Sequence, residues 1–131
     1  ASNSVMANVL YDLGTILDKR NYKEKALTIA NNVKPDMKQY ASGYANYANL
    51  MLKEIVPYYE VAIVGKDAHA RAMELNKRYV PNKLFVGCFE KSDLELLEGK
   101  YVEGTTMIYV CENKVCQLPT NKIMQAIKLL K

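Results

Sequence analysis

The fold changes character at residues 59–65, which read YEVAIVG. Apolar and β-branched side chains dominate this run, and a glycine closes it. Such a run is typical of a strand that is covered on both faces of a sheet. Pro57 precedes it, and the residue before a proline tends to leave the helical region. We therefore predict a helical segment over residues 1–57 and a small α/β lobe over residues 58–131.

Downstream of this strand, helix and strand signals alternate. A helix is predicted from Asp67 to Tyr79, with Tyr79 on its inner face, and a second strand at residues 83–88. The segment from Ser92 to Glu95 matches a capping box, which predicts a short helix that ends near Gly99. These elements place helices beside a sheet.

Two further strands are predicted at residues 106–111 and 115–118, followed by a last helix. Thr120 is a candidate cap for that helix, whose inner face is expected to carry Ile123, Ile127 and Leu130. We expect the first two strands to be parallel through a right-handed crossover and the last strand to be antiparallel. The predicted fold class is α+β to α/β, with a mixed layer of about four strands behind an α-helical hairpin segment.

Upstream of Pro57 the periodicity is helical throughout. In the first helix the apolar residues recur at spacings of three and four, which gives one apolar stripe. Its members are Val5, Met6, Val9, Leu10, Leu13, Ile16 and Leu17. A second helix is expected to stop at Pro35, and a third to begin at Asp36.

The third predicted helix carries methionine and tyrosine on one side and alanine on the other. We expect burial on more than one side, because small residues let a neighbouring helix approach closely. A groove of tyrosines can also stack on sugar rings, so a carbohydrate-binding function is an alternative, but a stripe of this kind is usually core. Its members are Met37, Tyr40, Tyr44, Tyr47, Met51 and Ile55.

Composition excludes several classes of function. The 131 residues are 50% hydrophobic and 24% charged, as in a globular domain, and the net charge of +4 comes from scattered lysines and arginines. No basic stripe interleaved with aromatics indicates nucleic-acid binding. The longest uncharged run, Gln39 to Leu52, is shorter than the roughly 20 residues that span a bilayer. We expect no nucleic-acid partner and no membrane span.

Localisation is predicted from weaker signals. No signal peptide is visible, and three cysteines without a glycosylation sequon favour a reducing compartment, so we expect a cytoplasmic protein. The chain opens on Ala-Ser-Asn-Ser rather than Met, and we expect the true N-terminus to lie elsewhere.

Few residues suggest a reaction. Gly65-Lys66-Asp67 follows a strand and precedes a helix, an arrangement that can bind phosphate, but one glycine is far from a nucleotide-binding motif, and a tight turn is favoured. His69, the only histidine, is expected at the surface. No acid–base set assembles, so the sequence leaves open whether the protein is an enzyme, and it predicts no cofactor.

CENKVC, residues 111–116, is the motif that most indicates a chemical function. A hairpin turn centred between Asn113 and Lys114 places Cys111 opposite Cys116, on an apolar sheet face that also carries Leu118 and is predicted to be buried. Reduced cysteines packed as small hydrophobes are one interpretation, and a reversible cross-strand disulfide is a second.

A metal site is the third interpretation of these cysteines. Zinc takes four ligands in most sites, whereas this region offers two thiols and Cys88 as a candidate third. We expect no metal. The C-x₄-C spacing also differs from the C-x-x-C of thioredoxin-type catalysis, and a strand does not lower a thiol pKa as a helix start does.

A family resemblance emerges from these motifs. Tyr109-Val110-Cys111, followed by Cys116 and Pro119, resembles the C-terminal signature of the YyaL-like, spermatogenesis-associated family of thioredoxin-domain proteins. Asn3-Ser4 is similar to that family's Asn-Ser motif, and the strand at residues 60–65 also fits. The C-x₄-C-x-x-P tail is the most specific part of this match.

The resemblance implies a longer protein. Family members carry a thioredoxin-like domain, then a six-hairpin (α/α) toroid like those of sugar 2-epimerases, then a C-terminal α/β portion. This chain would be the C-terminal fragment, with Asn3 and Ser4 facing the toroid cavity and the other domains as its partners. The family's thioredoxin-like active-site cysteines and the epimerase acids and histidines have no counterpart here.

We therefore predict a non-catalytic C-terminal module that caps and completes the helical domain of a larger protein. One alternative is a thiol-redox or disulfide-switch function carried by Cys111 and Cys116. Another is a part of a carbohydrate-binding or sugar-epimerase-like toroid, with a small carbohydrate as ligand of the whole protein.

Overall fold

The structure, a computed structural model, describes residues 2–130. Within them it contains six α-helices, one 3₁₀ turn and one four-stranded mixed sheet. The predicted mixed helix-and-sheet fold, with a helical hairpin at its start, is confirmed. The chain divides into two compact units, residues 1–56 and 57–131.

The first unit is helical. Its elements are α1 (Ser2–Ile16), α2 (Arg20–Asn32), α3 (Lys34–Met37), a 3₁₀ turn (Ala41–Tyr44) and α4 (Ala45–Ile55). As predicted, Pro35 and Pro57 mark boundaries: Pro35 lies in the first turn of α3, and the residue before Pro57 is already extended.

The α1–α2 hairpin is tightest at Gly14. A Cβ there would lie 2.8 Å from Cγ of Lys23 and 3.0 Å from the backbone oxygen of Lys19. Asp18, with φ 51°, turns the chain between the two helices, a conformation that aspartate tolerates better than most residues. Glycine at position 14 thus allows α2 to begin directly against α1.

The buried side of α1 is not the predicted apolar stripe. Ser4, Ala7, Tyr11, Gly14 and Thr15 are buried. Most members of that stripe are instead substantially exposed, at 37–55% of their surface. These members are Val5, Met6, Val9, Leu13 and Leu17. Small residues on the other side let the neighbouring helices approach closely, and this outweighs the larger apolar side chains.

Tyr11 anchors this inward side through contacts to two helices. Its hydroxyl donates a hydrogen bond to Oε1 of Glu54, and its ring is 3% exposed. The Nζ atoms of Lys23 and Lys53 lie 5.0 and 5.4 Å from the ring centroid, and Lys53 also contacts Asp12 at 2.6 Å. Inside the bundle the Tyr11 hydroxyl thus has a hydrogen-bond acceptor, and its ring face has cationic neighbours. A leucine could form neither interaction.

The predicted third helix is interrupted. At Tyr40 the backbone leaves the helical region (φ −143°, ψ 71°), and Gly43, a poor helix former, sits in the 3₁₀ turn before α4. The continuous stripe and its burial on several sides were wrong: Tyr40 and Ile55 are 66% and 76% exposed. Of the alanines predicted on the opposite face, Ala41 and Ala45 are also exposed.

The second unit contains the sheet and two helices. The strands are β1 (Tyr59–Val64), β2 (Lys83–Cys88), β3 (Met107–Glu112) and β4 (Val115–Cys116). The order is β2-β1-β3-β4, with β1 parallel to β2, and β3 antiparallel to both β1 and β4. The expected parallel first pair and antiparallel last strand are confirmed.

Both faces of β1 are covered, and all six of its residues are buried. One face packs against α5 (Ala68–Asn76) and α6 (Ile123–Leu129). The other face packs against residues of the long β2–β3 connection, including Leu94, Leu97 and Tyr101. The core of the α5–α6 face consists of Tyr59, Val61, Ile63, Ala68, Leu75, Ile108, Val110, Ile123, Ala126 and Leu130.

Two predictions for this unit fail locally. Tyr79 is 90% exposed rather than inward, because α5 ends at Asn76. The segment that begins at Ser92 forms a single turn and not a helix: Ser92 Oγ accepts a hydrogen bond from the Leu94 amide, and Leu97 then inserts into the sheet core. The hydroxyl serves a local turn instead of a capping box.

We expect Leu50→Ala to lower the free energy of unfolding by about 2–5 kcal/mol, because Leu50 is completely buried in the helical unit. Leu13→Ala, the matched control, removes the same atoms from a side chain that is 37% exposed and is expected to cost about 1 kcal/mol. Urea unfolding followed by far-UV circular dichroism measures both. An equal or larger loss for Leu13→Ala would show that the apolar stripe of α1 is buried.

Candidate functional site

The cysteine hairpin has a two-residue turn. Asn113 and Lys114 both have positive φ, at 49° and 67°, as a type I′ turn requires. Cys111 consequently lies directly opposite Cys116, the register that the turn predicts. Because the Gln117 amide donates to the carbonyl of the residue before Cys111, the two cysteines form a non-hydrogen-bonded pair, in which side chains approach closely.

The two sulfurs are joined in a disulfide. The structure therefore contains the bond of the second interpretation, and its reversibility stays a prediction. Cys111 is 3% exposed whereas Cys116 is exposed, so one half of the bridge is in the core and the other faces solvent. The prediction that this whole face is buried is wrong, since Leu118 is also 87% exposed. β4 is only two residues long, and nothing in the described chain covers it further out.

Glu60 supports this hairpin from the neighbouring strand. It pairs with Cys111 across β1 and β3 and is 3% exposed. Its Oε2 accepts a hydrogen bond of 3.1 Å from the backbone N–H of Lys114, in the turn. Sequence reasoning did not identify this residue. A single carboxylate inside a strand covered on both faces was the available signal, because buried acids need a partner.

Cys88 is remote from the disulfide. It pairs with Val64 at the end of β1, whereas Cys111 pairs with Glu60 near its start. Its Sγ donates a hydrogen bond of 3.0 Å to the carbonyl of Glu90, and burial raises the pKa of the Cys88 thiol. A metal site shared by the three cysteines is therefore not assembled.

The turn after β1 uses its own backbone donors. Gly65 has φ 133°, and a Cβ there would lie 2.6 Å from Thr106 Oγ1. That oxygen accepts a hydrogen bond from the Asp67 amide at the start of α5, and the Ala68 amide donates to Gly65. Two donors that a phosphate would need are engaged, which favours the interpretation as a tight turn. His69 is exposed on α5.

Asn3 and Ser4 both lie in the first turn of α1, but they point differently. Asn3 is exposed, and Ser4 is 3% exposed on the same side as Tyr11. Ser4 is inside the helix, and its carbonyl accepts a hydrogen bond from Nδ2 of Asn8, which also donates to the carbonyl of Asn46 in α4. Their position in a toroid cavity stays a prediction.

The tyrosines do not form one groove. Tyr47 is buried and Tyr44 half-buried, with ring centroids 6.0 Å apart, while Tyr40 is exposed and its ring lies over Gly43. The carbohydrate-binding alternative therefore retains Tyr40 and part of Tyr44 as accessible aromatics.

In residues 2–130, no group of three or more histidine, cysteine, aspartate or glutamate side chains is arranged to hold a metal ion. None of the helices described there combines the length and the apolar character needed to cross a membrane. Comparison of the chain with known protein families, curated proteins and solved structures returns no match. The resemblance to the YyaL-like family thus stays a prediction.

We expect Glu60→Ala to lower the free energy of unfolding by about 1–3 kcal/mol, because the Lys114 amide loses its buried acceptor. Glu60→Gln, the control, keeps an oxygen at the same place and is expected to retain most of the stability. Hydrogen–deuterium exchange of the Lys114 amide reads out the contact directly. Protection of that amide in Glu60→Ala equal to that in the wild type would contradict the role of Glu60.

Proposed function

We propose that this chain is a non-catalytic C-terminal module of a longer protein, and that its helical unit completes a domain of helical hairpins. The observation that carries the proposal is the outward apolar side of α1. Val5, Val9, Leu13 and Leu17 recur every four residues along it, with Met6 beside them, and all are exposed. Contiguous exposed apolar surface of this kind marks an interaction site.

A helix of a preceding hairpin is the occupant that fits this side of α1. In arrays and toroids of helical hairpins, each helix pair packs against its neighbours and cannot bury its apolar surface alone. The α1–α2 hairpin buries small residues internally and leaves its larger apolar side chains outward, which is the distribution expected of one unit in such a domain. The resemblance to the YyaL-like family supports the same arrangement.

We assign no catalytic residue, because the acidic groups of Glu54 and Glu60 and the thiol of Cys88 make hydrogen bonds within the fold. The buried carboxylate of Glu60 accepts a hydrogen bond from the hairpin turn, and Glu54 accepts one from Tyr11. The thiol of Cys88 donates to a backbone carbonyl. These groups stabilise the fold, and steady turnover of a sugar or disulfide substrate by the isolated chain would contradict the proposal.

We expect the double variant Val9→Lys and Leu13→Lys to lower the free energy of unfolding of the longer protein by at least about 2 kcal/mol, because two charges would enter an apolar interface. The isolated chain should lose only about 1 kcal/mol, as for Leu13→Ala, since both side chains are substantially exposed in it. The matched control is Asn31→Lys with Asn32→Lys, which adds the same charge at exposed positions of α2. Equal stability of both double variants in the longer protein would refute the proposal that the outward apolar side of α1, its docking side, packs against a preceding hairpin.

A reversible disulfide is the second candidate function, and the bond between Cys111 and Cys116 favours it. The bridge closes a loop with a sequence separation of only five, so it contributes little chain-entropy stabilisation. Exposure of Cys116 leaves one sulfur open to an attacking thiolate. If the protein is cytoplasmic, as we propose from its cysteine usage, a disulfide there would be transient and would act as a redox sensor.

We expect one titratable thiol per oxidised chain under denaturing conditions, that of Cys88, and three after reduction. In glutathione buffers the pair should reoxidise with a midpoint above about −300 mV, as labile disulfides do. Cys111→Ala is the control, since it should lose no pair of thiols on oxidation. A pair that stays oxidised across the cytosolic range of glutathione potentials would be a structural bridge and would remove the switch.

A further inference from the structure

The outer edge of the sheet at β2 is unpaired. Since the Gly65 amide donates to the Cys88 carbonyl, Cys88 directs its carbonyl toward β1. Consecutive residues of a strand direct their backbone groups to opposite sides, so Phe85 and Gly87 direct theirs away from the sheet. No backbone group in residues 2–130 pairs with them from that side. All of β2 is half-buried or exposed.

A cavity of about 300 Å³ lies beside β2. Its walls are the five consecutive residues from Phe85 to Phe89, Ile63 of β1 and, from α5, Ala68, His69 and Ala72. Side chains of consecutive strand residues alternate between the two faces of a sheet. Ile63, Phe85 and α5 belong to the same face of the sheet, and Gly87, which pairs with Ile63, has no side chain there. The cavity therefore lies on that face, as a cleft between α5 and β2, which is the outermost strand.

Small residues keep this cleft open. Gly87 has no side chain, and a Cβ there would lie 2.9 Å from the carbonyl oxygen of Ile63 and 3.8 Å from Cβ of Ala68. Ala68 and Ala72 form the facing wall on α5. The sequence thus leaves room beside the strand for a side chain supplied from outside.

The lysine side chain on β2 does not cover the strand's free edge. Exposed edges are often covered by a lysine side chain. Here Nζ of Lys83 donates to the carbonyl of Val80 at 2.8 Å and lies 5.5 Å from the Phe85 ring centroid. The Lys83 ammonium is thereby held at the start of β2, and the stretch from Phe85 to Cys88 remains accessible.

We propose that this edge binds an extended peptide, which pairs with β2 as a fifth strand and inserts one apolar side chain into the cleft. The outward backbone groups of Phe85 and Gly87 supply hydrogen bonds, and the apolar walls supply specificity for alternate side chains of the peptide. A peptide satisfies both features at once, whereas a small apolar molecule would leave the backbone groups of the edge unpaired. The site lies in residues 57–131 and does not rest on the proposed docking side of α1.

The test uses capped heptapeptides of sequence Thr-Thr-Val-Xaa-Val-Thr-Thr, with alanine, leucine or phenylalanine at Xaa, titrated into the isotopically labelled chain and followed by NMR. We expect the amides of Phe85 and Gly87 to shift. The leucine peptide should bind at least about tenfold more tightly than the alanine peptide, because it buries more apolar surface. N-methylation of the residue that faces Phe85 should weaken binding about tenfold, because it removes one hydrogen bond.

A variant pair locates the site. Ala72→Phe fills the cleft and should abolish binding, whereas Ala70→Phe, at an exposed position of the same helix, should leave it unchanged. The N-methylated peptides test strand addition without any change to the protein, so the proposal remains testable if Ala72→Phe misfolds.

Three outcomes would overturn the proposal. The first is no shift of the β2 amides with any of the peptides at millimolar concentration. The second is equal binding of the N-methylated and unmethylated peptides, which would indicate a pocket for an apolar group alone. The third is a concentration-dependent dimer whose β2 amides are protected before peptide is added, which would make a second copy of this chain the occupant.

Discussion

The α/β unit depends on one constraint: β1 is buried on both faces and paired along both edges. Its six residues lie between α5 and α6 on one side and the long β2–β3 connection on the other. Parallel β2 and antiparallel β3 both take their register from it. A strand in this position tolerates a charge only where a partner is supplied, and Glu60 finds it in the Lys114 amide. The central strand and the cysteine hairpin are coupled in this way.

The helical unit depends on a different balance. Tyr11 is buried with its hydroxyl hydrogen-bonded to Glu54 and lysine ammonium groups near its ring. Gly14 and Ala7 on the same side permit the helices to approach closely, so the side with smaller residues became the interior. The larger apolar residues of α1 are consequently available to a partner. Because the larger apolar residues face outward, the proposed function is helix packing and not catalysis.

Two surfaces remain open in the described residues. The outward side of α1 offers apolar area, and the free edge of β2 offers backbone hydrogen bonds beside a cleft. The disulfide between Cys111 and Cys116 lies at the opposite edge strand, where one sulfur meets solvent. Glu60 links β1 to the turn of this hairpin through its hydrogen bond with the Lys114 amide.

The sequence by itself determined the elements whose signals are local. The β-branched run at residues 59–65 predicted the covered strand, and the prolines predicted the helix boundaries. Asn113 allowed the hairpin register that sets Cys111 against Cys116. Periodicity could not decide which side of α1 is buried, because an apolar stripe marks an apolar side of a helix and does not show whether another part of the chain packs against it. Tertiary structure decided that, and it alone revealed the role of Glu60 and the cleft beside β2, since both depend on groups far apart in sequence.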